Sequence, residues 1–214
     1  LEAADSDIEF ADGKFTVAGT DRSIDLKEVA KTAFMKPRLP PEIEPGLYEH
    51  GEFGMGQGQA PTYPNGAHLA EIEIDADTGK IDLVRYSAVD DAGTILNPLL
   101  FDGQVHGGIV QGAGQIMMEE VNYDPESGQL VTGSFMDYGM PRADDFCNFD
   151  ISANVVPTAR NPLGVKGVGE AGTVGAMPAI MNAINDALHR AGAPTIEMPA
   201  TPQKVWSALQ QAKA

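Results

Sequence analysis

A stretch rich in proline and glycine runs from Pro37 to Gly66 and separates two parts of the sequence that carry regular apolar patterns. It contains six prolines and six glycines. Proline lacks a backbone N–H and glycine adds backbone freedom, so neither a helix nor a strand persists at this density. We therefore predict a hairpin and helix at 1–36, a long irregular arm at 37–66 and a larger domain at 67–214. Ordered loops of this length are commonly functional, although a solvated linker is an equal alternative here.

The apolar pattern on either side of this arm predicts the secondary structure. Before the arm, it predicts a hairpin over 8–18 and a helix over 26–34 that Ser23 caps. After the arm, the predicted elements are a hairpin over 68–91, a glycine-rich helix over 99–121, a hairpin over 120–135, a strand over 149–156, and helices over 177–191 and 202–213. Strands and helices are mixed without a strict alternation, so we predict an α+β fold of hairpins and a mixed sheet packed with helices.

The chain is strongly acidic, with 31 acidic against 14 basic residues and a formal charge of −17. This charge repels phosphate backbones and anionic membrane surfaces, which disfavours nucleic acid as a partner. No apolar run approaches the roughly 20 residues of a membrane span, and the single Cys147 fits a reducing compartment. We therefore predict a cytoplasmic protein without a membrane span. Because the sequence starts without Met and enters a strand-like pattern at once, we expect it to be part of a longer polypeptide.

A glycine-rich loop that precedes a helix is the sharpest chemical feature, in the sequence NPLGVKGVGEAGTVGAMPA from Asn161 to Ala179. Backbone N–H groups at a helix start can hold anions, and glycine lets a ligand approach closely. The loop is not a Walker loop, because Lys166 is followed by Gly167 rather than by Ser or Thr. The letters at 167–172 spell G-x-G-x-x-G, but a turn rather than a strand precedes them, so the match to a dinucleotide site is weak.

Glu170 is the one carboxylate in the largely apolar stretch at 164–177. Burial of the loop would make this carboxylate a stronger base, while a helix N-terminus acts in the opposite direction. We therefore take Glu170 as a candidate catalytic base, with a favourably placed helix residue as the alternative. Lys166 lies four residues earlier and could pair with Glu170, bind an anionic ligand or lie on the surface.

Gln111 lies among the five glycines of the helix predicted over 99–121. A glycine inside a helix costs about 1 kcal/mol relative to alanine. These glycines therefore indicate close approach by another helix, by a backbone segment or by a bound molecule. The primary amide of Gln111 could hydrogen-bond a heterocycle through its donor and acceptor groups. A polar residue on the helix surface is the alternative.

The other chemistry-bearing side chains form no recognised site. The four histidines include no pair at positions i and i+4, so we predict no metal ion bound by protein side chains. Cys147 and Ser134 lack the flanking residues of a catalytic nucleophile. Asp90 and Asp91 follow one another at a strand end, where carboxylates more often cap a turn or pair with a basic side chain.

Six blocks of sequence, in order, resemble the C-terminal part of the molybdenum-binding large subunit of the xanthine dehydrogenase family. The resemblance is strongest to the aerobic carbon monoxide dehydrogenase type. The blocks are YPNGAHLAEIEID from Tyr63, VDDAGTILNP from Val89, GQVHGGIVQGAGQ from Gly103, GSFMDYGMPRA from Gly133, NPLGVKGVGEAGTVGAMPAIMNAINDAL from Asn161 and MPATPQKVWSAL from Met198. Six blocks in matching succession are far more specific than a single glycine motif.

Family members hold molybdenum through the dithiolene of a molybdopterin cofactor, so the resemblance implies this cofactor, in its cytosine dinucleotide form. The implied fold is the C-terminal molybdenum-binding domain of molybdenum hydroxylases. The resemblance also implies that Glu170 is catalytic and lies beside the metal, as the acidic residue of the family's G-V-G-E loop does. The implied cofactor-binding residues are Gln111, Lys166, Gly167, Val168 and Gly169.

The resemblance implies an oxidoreductase that works within a larger assembly. We expect as partners the remainder of the large subunit, an iron–sulfur subunit and a flavin subunit with FAD, and we expect the assembly to be an oligomer. The expected substrate is a small molecule, namely carbon monoxide, a purine, an aldehyde or an N-heterocycle, oxidised with oxygen from water. The piece alone should be inactive, because it supplies only one wall of the pocket. The alternative is a non-catalytic assembly or interaction domain, which has no reason to place Glu170 and Lys166 in an apolar glycine loop.

Overall fold

The chain forms two compact units, Leu1–Met55 and Gly56–Ala214. The structure is a computed structural model, and it describes residues 1–48, 50–51 and 61–213. Both units contain a small sheet and at least one helix, so each is described by itself below.

The predicted arm is irregular over its described residues as far as Pro64. Between residues 37 and 65, the one regular piece that the described chain forms is the end of a 3-10 turn at Lys36–Arg38. Three glycines of the arm, Gly54, Gly56 and Gly58, lie outside the described residues. The prediction of irregular backbone is therefore confirmed for the described residues up to Pro64, where proline removes the N–H groups that a helix or strand needs. It is wrong for Asn65 and Gly66, which already belong to a strand that pairs with residues 90 and 91.

The first unit is a three-stranded antiparallel sheet followed by a short helix. Its elements are β1 (Ile8–Ala11), β2 (Lys14–Val17), β3 (Ser23–Asp25) and α1 (Leu26–Ala33), with the strand order β1-β2-β3. The hairpin predicted over 8–18 is confirmed, and Gly13 completes its turn with a φ of 76°. The predicted helix cap was wrong, because Ser23 is paired within the sheet. Asp25 caps α1 instead, and its carboxylate accepts the Lys27 N–H at 2.8 Å.

The second unit is built on a three-stranded sheet in the order β4-β5-β6. Strands β4 (Asn65–Ile74) and β5 (Ile81–Asp91) form the predicted antiparallel hairpin, and β6 (Phe149–Ala153) lies parallel to β5. The hairpin turn is held by Asp75, whose Oδ1 accepts the backbone N–H two residues later at 2.8 Å. Gly79 then turns the chain with a φ of 74°, a backbone conformation that costs little free energy only in a residue without a Cβ.

Three helices complete the second unit: α2 (Pro98–Met117), α3 (Ala171–Arg190) and α4 (Pro202–Lys213). The Asn97 side chain caps α2 by accepting the Leu100 N–H at 3.2 Å. Helix α4 has its predicted bounds, but α3 begins six residues before the predicted start at 177. Gly172 and Gly175 are typical of a loop, yet here they are helical because α3 packs closely against α2 and β4 at these positions.

The hairpin predicted over 120–135 is wrong in extent. A turn forms, because the Asp124 carboxylate accepts the Ser127 N–H at 2.7 Å. On either side of this turn, Tyr123 and Leu130 form an isolated bridge. Two backbone hydrogen bonds flank it, from the Asp124 N–H to the Gln129 carbonyl oxygen at 2.8 Å and from the Val131 N–H to the Asn122 carbonyl oxygen at 2.9 Å, and no regular strand extends from them in the described chain. The following residues are exposed, so the apolar alternation here has no covered face to stabilise strands. The α+β class is confirmed, since the described residues form two mixed or antiparallel sheets and four α-helices.

An apolar core joins α2 and α3. Its fully buried members include Val105 and Ile109 of α2, and Ile180 and Ile184 of α3. Spacings of three and four residues place such side chains on one face of each helix. The apolar faces predicted for these two segments are therefore confirmed.

Glycine in α2 lets the backbones of α2 and α3 approach each other closely. A Cβ placed on Gly108 would lie 2.9 Å from the Cα of Gly172, and one on Gly112 would lie 2.9 Å from the carbonyl oxygen of Thr173. Real Cβ atoms do not approach backbone atoms so closely. Of the three explanations that the sequence allows, close approach by another helix accounts for these two glycines.

Gly108→Ala should destabilise the fold by about 1–3 kcal/mol, because the added methyl group overlaps the backbone of α3. Gly107→Ala is the matched control, since a Cβ at the neighbouring position meets no described atom within 4 Å. That variant should match the wild type or gain up to about 1 kcal/mol from helix propensity. Urea denaturation of the chain, followed by far-ultraviolet circular dichroism, measures both. Equal midpoints for the two variants would contradict the packing described for α2 and α3.

Candidate active site

Glu170 is the N-cap residue of α3, and its side chain lines an open cleft of about 280 Å³, which we call the Glu170 cleft. The cleft lies between the start of α3 and the β4–β5 hairpin, and its lining includes Tyr63, His68, Asp90 and Val174. The Glu170 side chain is exposed, so the burial that the sequence suggested for it is not present in this structure. Its carboxylate makes no capping hydrogen bond within the described chain, which leaves both oxygens available to a molecule in the cleft.

The glycine loop is fixed to the end of β5 before it reaches Glu170. The Asn161 side chain clamps Val165 with two hydrogen bonds, donating to its carbonyl oxygen at 2.8 Å and accepting its N–H at 3.1 Å. The Lys166 N–H donates to the carbonyl oxygen of Ala92 at 2.8 Å. These bonds fix the loop at residues 161–166. The four residues that follow, 167–170, therefore start from a fixed position.

The backbone at Gly167 and Gly169 is open on the side where a side chain would point. A Cβ at Gly169 would meet no described atom within 4 Å, and one at Gly167 would meet the carbonyl oxygen of Thr62 at 3.8 Å. Val168 lies between these glycines, is half-buried and packs against the apolar core. The two glycines therefore leave space beside the loop backbone. No neighbouring helix of the described chain fills this space, so a bound molecule could approach the backbone there.

Gln104 is a loop contact that sequence reasoning missed. It lies on the exposed side of α2, and its Nε2 donates to the carbonyl oxygen of Gly169 at 2.8 Å. Gln104 lies seven residues, or two helical turns, before Gln111. Two glutamines at this spacing share one helix face, and that pattern could have identified Gln104 from the sequence.

Gln111 lies near the first turn of α3, close to the glycine loop that precedes this helix. The Thr173 hydroxyl lies 3.3 Å from the Gln111 Oε1 and 3.0 Å from the carbonyl oxygen of Gly108, and it donates its one hydrogen to either. The Gln111 side chain is exposed. The structure thus brings Gln111, Gln104 and the glycine loop to the same end of α3, although about 60 residues separate them in sequence.

Lys166 forms a buried ion pair with Asp91. Its Nζ lies 2.5 Å from the Asp91 Oδ2, and the two side chains are only 13% and 10% exposed. Asp91 also accepts the Gly93 N–H at 2.8 Å and the Val156 N–H at 3.0 Å. Burial acts to raise the pKa of the Asp91 carboxyl, but these hydrogen bonds and the Lys166 charge outweigh it and lower the pKa below its ordinary value.

The sequence hypothesis that Lys166 pairs with Glu170 is therefore wrong, since Asp91 holds the ammonium. The prediction that Asp90 and Asp91 cap a turn or pair with basic side chains is confirmed. Asp91 does both, and Asp90 lies 3.2 Å from the Nε2 of His68. His68 is a second residue that sequence reasoning missed, because the four histidines were judged by their spacing along the chain alone.

The described residues limit the kind of site that the chain can form. No group of three or more His, Cys, Asp or Glu side chains in residues 1–48, 50–51 and 61–213 is arranged to hold a metal ion. Within the same described ranges, none of the helices is both long and apolar enough to span a membrane. The polar residues that line the Glu170 cleft are instead Asn65, His68, Asp90 and Glu170, which suit an organic ligand, while Gln104 and Gly169 line a separate pocket.

Comparison with known proteins gives a consistent picture. The sequence profile of the family described as "Molybdopterin cofactor-binding domain" matches residues 1–147. The carbon monoxide dehydrogenase large chain of Afipia carboxidovorans is 36% identical over 212 residues, covering 99% of this chain and 26% of that protein. The nicotine 6-hydroxylase large subunit of Paenarthrobacter nicotinovorans is 38% identical over 213 residues, covering 98% of this chain and 26% of that subunit.

Solved structures agree with the sequence comparisons. The Cu,Mo-CO dehydrogenase in its carbon monoxide reduced state superposes with a TM-score of 0.75 at 35% identity, covering 100% of this chain and 26% of that one. The quinoline 2-oxidoreductase of Pseudomonas putida 86 superposes with a TM-score of 0.76 at 34% identity, and the match covers 98% of this chain and 26% of that one. The chain thus spans about a quarter of the length of these relatives. Glu170 lies outside the profile match but within the segment that both superpositions cover almost entirely.

Proposed function

Because the chain belongs to the molybdopterin cofactor-binding domain family, we propose that it forms one wall of the cofactor site in the large subunit of a molybdenum hydroxylase. In this proposal Glu170 is the catalytic carboxylate. The observation that carries it is the position of Glu170, exposed at the start of α3, lining a cleft and lying beside an open glycine loop.

The residues at this end of α3 fit a molybdopterin group. A pterin presents hydrogen-bond donors and acceptors along one edge, and the Gln111 amide offers the complementary pair. Gly167 and Gly169 leave backbone open to close approach, with Val168 between them. We propose that these four residues hold the cofactor, in its cytosine dinucleotide form. We propose that Lys166 acts through its backbone carbonyl oxygen, because Asp91 binds its ammonium and Ala92 accepts its N–H.

When bound, the cofactor supplies the metal centre that takes up electrons from the substrate. The role of Glu170 is proton transfer: a carboxylate oxygen accepts a proton from the water whose oxygen is added to the substrate. The exposed side chain reaches into the cleft, where such a water can lie.

The activity, substrate and partners of the complete protein are part of the proposal. The relatives are named for different substrates, carbon monoxide and nicotine among them, so we propose a small-molecule oxidoreductase and no single substrate. We propose that electrons leave through an iron–sulfur subunit and an FAD-carrying flavin subunit of a cytoplasmic, oligomeric assembly. The rest of the large subunit supplies the other walls of the pocket.

Gln111→Leu tests the cofactor contact. In the complete large subunit, this variant should retain the pterin about fivefold less well, because one hydrogen bond contributes about 1 kcal/mol. Gln211→Leu is the control, since Gln211 is also exposed but lies on α4. Pterin is released from the purified assembly by acid and measured by fluorescence. Equal pterin content in both variants would remove Gln111 from the proposed site.

A further inference from the structure

A buried polar cluster borders the Glu170 cleft. It consists of His68 on β4, and Tyr86 and Asp90 on β5, where the register of the hairpin brings them to one face. The His68 Nε2 lies 3.2 Å from the Asp90 Oδ2, and its Nδ1 lies 2.6 Å from the Tyr86 hydroxyl. The side chains of His68 and Asp90 are 4% and 3% exposed, and Tyr86 is fully buried. His68 and Asp90 also line the cleft that contains Glu170.

The hydrogens of the cluster can be assigned from its surroundings. Burial raises the pKa of Tyr86, and the Asp90 charge raises it further, so the phenol keeps its hydrogen. The phenol then donates to the His68 Nδ1, and the Nε2–H donates to the Asp90 carboxylate. Bonds at both ends of the ring fix its orientation, which a single hydrogen bond would leave free to rotate.

Helix α3 rests directly on this imidazole. Gly175 lies in the second turn of α3, and a Cβ placed there would lie 2.5 Å from both the Cε1 and the Nδ1 of His68. The missing side chain therefore lets the helix backbone contact the ring. Glu170 lies five residues earlier, at the start of the same helix. The position of the ring thus sets how far the start of α3 stands from the hairpin.

We infer that His68, held by Asp90 and Tyr86, is a positioning residue for Glu170. The inference rests on the proposed function. The oriented imidazole supports the first two turns of α3 and so fixes where the Glu170 carboxylate stands in the cleft. A cluster that served stability alone would not need to border the cleft or to contact α3 through a glycine.

Gly175→Ala and Tyr86→Phe test this role in the complete large subunit within its assembly. The first variant pushes α3 away from the ring, and the second removes one tether and keeps the aromatic packing. Both should lower kcat per bound molybdenum by about 10- to 100-fold and change KM by less than about threefold, since a displacement of about 1 Å can cost 10²-fold. Hydrogen–deuterium exchange should rise in peptides that cover residues 168–176, with or without substrate. His189→Gln is the control, because His189 lies at the far end of α3 and contacts Thr195.

Three results would overturn the inference. One is a wild-type kcat per molybdenum in both variants, even with a lowered melting temperature, since that would leave the cluster a structural role only. Another is unchanged exchange at residues 168–176 in Gly175→Ala. The third is an equal loss in His189→Gln. If Gly175→Ala does not fold, the kcat of Tyr86→Phe alone tests the inference, and a wild-type value would contradict it. Glu170→Gln, measured alongside, separates this inference from the proposed function. If Glu170→Gln is inactive while Tyr86→Phe is fully active, only the inference about His68 is wrong. If Glu170→Gln is fully active, the proposed function is wrong.

Discussion

Replacing Glu170 with Gln in the complete large subunit should lower turnover by about 10²- to 10⁴-fold, the usual contribution of a general base. Gln has nearly the same shape as Glu but cannot accept a proton at neutral pH. The fold should tolerate the change, because the carboxylate is exposed and makes no capping hydrogen bond in the described chain. Molybdenum and pterin content should therefore stay at the wild-type level. Steady-state turnover, normalised to molybdenum measured by mass spectrometry, gives the result.

Glu126→Gln is the matched control for this experiment. Glu126 is an exposed carboxylate in the turn after Asp124, and its backbone N–H rather than its side chain takes part in that turn. The control should keep full turnover. If Glu170→Gln also turned over at the wild-type rate, the catalytic assignment would be wrong. If it lost molybdenum or pterin in proportion to its activity, Glu170 would be a cofactor-binding residue and not a base.

Lys166→Met should destabilise the chain by about 3 kcal/mol, the lower end of the range for removing one partner of a buried ion pair. The variant leaves the Asp91 carboxylate buried without its cation. The lower end applies because the N–H groups of Gly93 and Val156 still bind that carboxylate. Lys80→Met is the control, because Lys80 pairs with Asp82 on the exposed surface and its loss should not shift the unfolding midpoint measurably.

The pH dependence of the wild type follows from Asp91. A carboxyl whose pKa is lowered in the folded state contributes stability above its ordinary pKa of 3.8 and loses it as the pH falls through the folded pKa. The contribution of Asp91 should thus be constant between pH 7 and 5 and be lost only below about 3.8. Urea denaturation at several pH values checks this. Unchanged stability of Lys166→Met, combined with loss of pterin, would instead assign the ammonium to the cofactor.

Local sequence patterns were sufficient for the elements whose determinants are close in sequence. The β4–β5 hairpin follows from alternating residues and a turn at Gly79, and α4 follows from apolar spacing after Pro202. The start of α3 could not be predicted in this way. Gly172 and Gly175 favour a loop by their own conformational freedom, and only the closeness of α2 and of His68 makes glycine the residue that a helix needs there.

Some residues of the candidate site could likewise be predicted from sequence, and others could not. Glu170 stands out because it is a lone carboxylate in a glycine loop, and this is visible in sequence. The partner of Lys166 is not visible, since Asp91 lies 75 residues away and is brought near by the loop that follows β6. His68 needed the register of the β4–β5 hairpin, in which a bulge after Glu71 shifts the pairing by one residue. The alternating pattern and the turn predict the hairpin, but they do not show where a bulge shifts its register.

The position of the metal tests the central claim most directly. Crystals of the complete large subunit in its assembly, measured at the molybdenum absorption edge, would give an anomalous difference peak at each metal. We predict that this peak lies in the Glu170 cleft or at its mouth, next to the Glu170 carboxylate and on the side to which the glycine loop is open. A molybdenum peak remote from Glu170, with the cleft filled by other parts of the subunit, would contradict the assignment of this cleft as the active site.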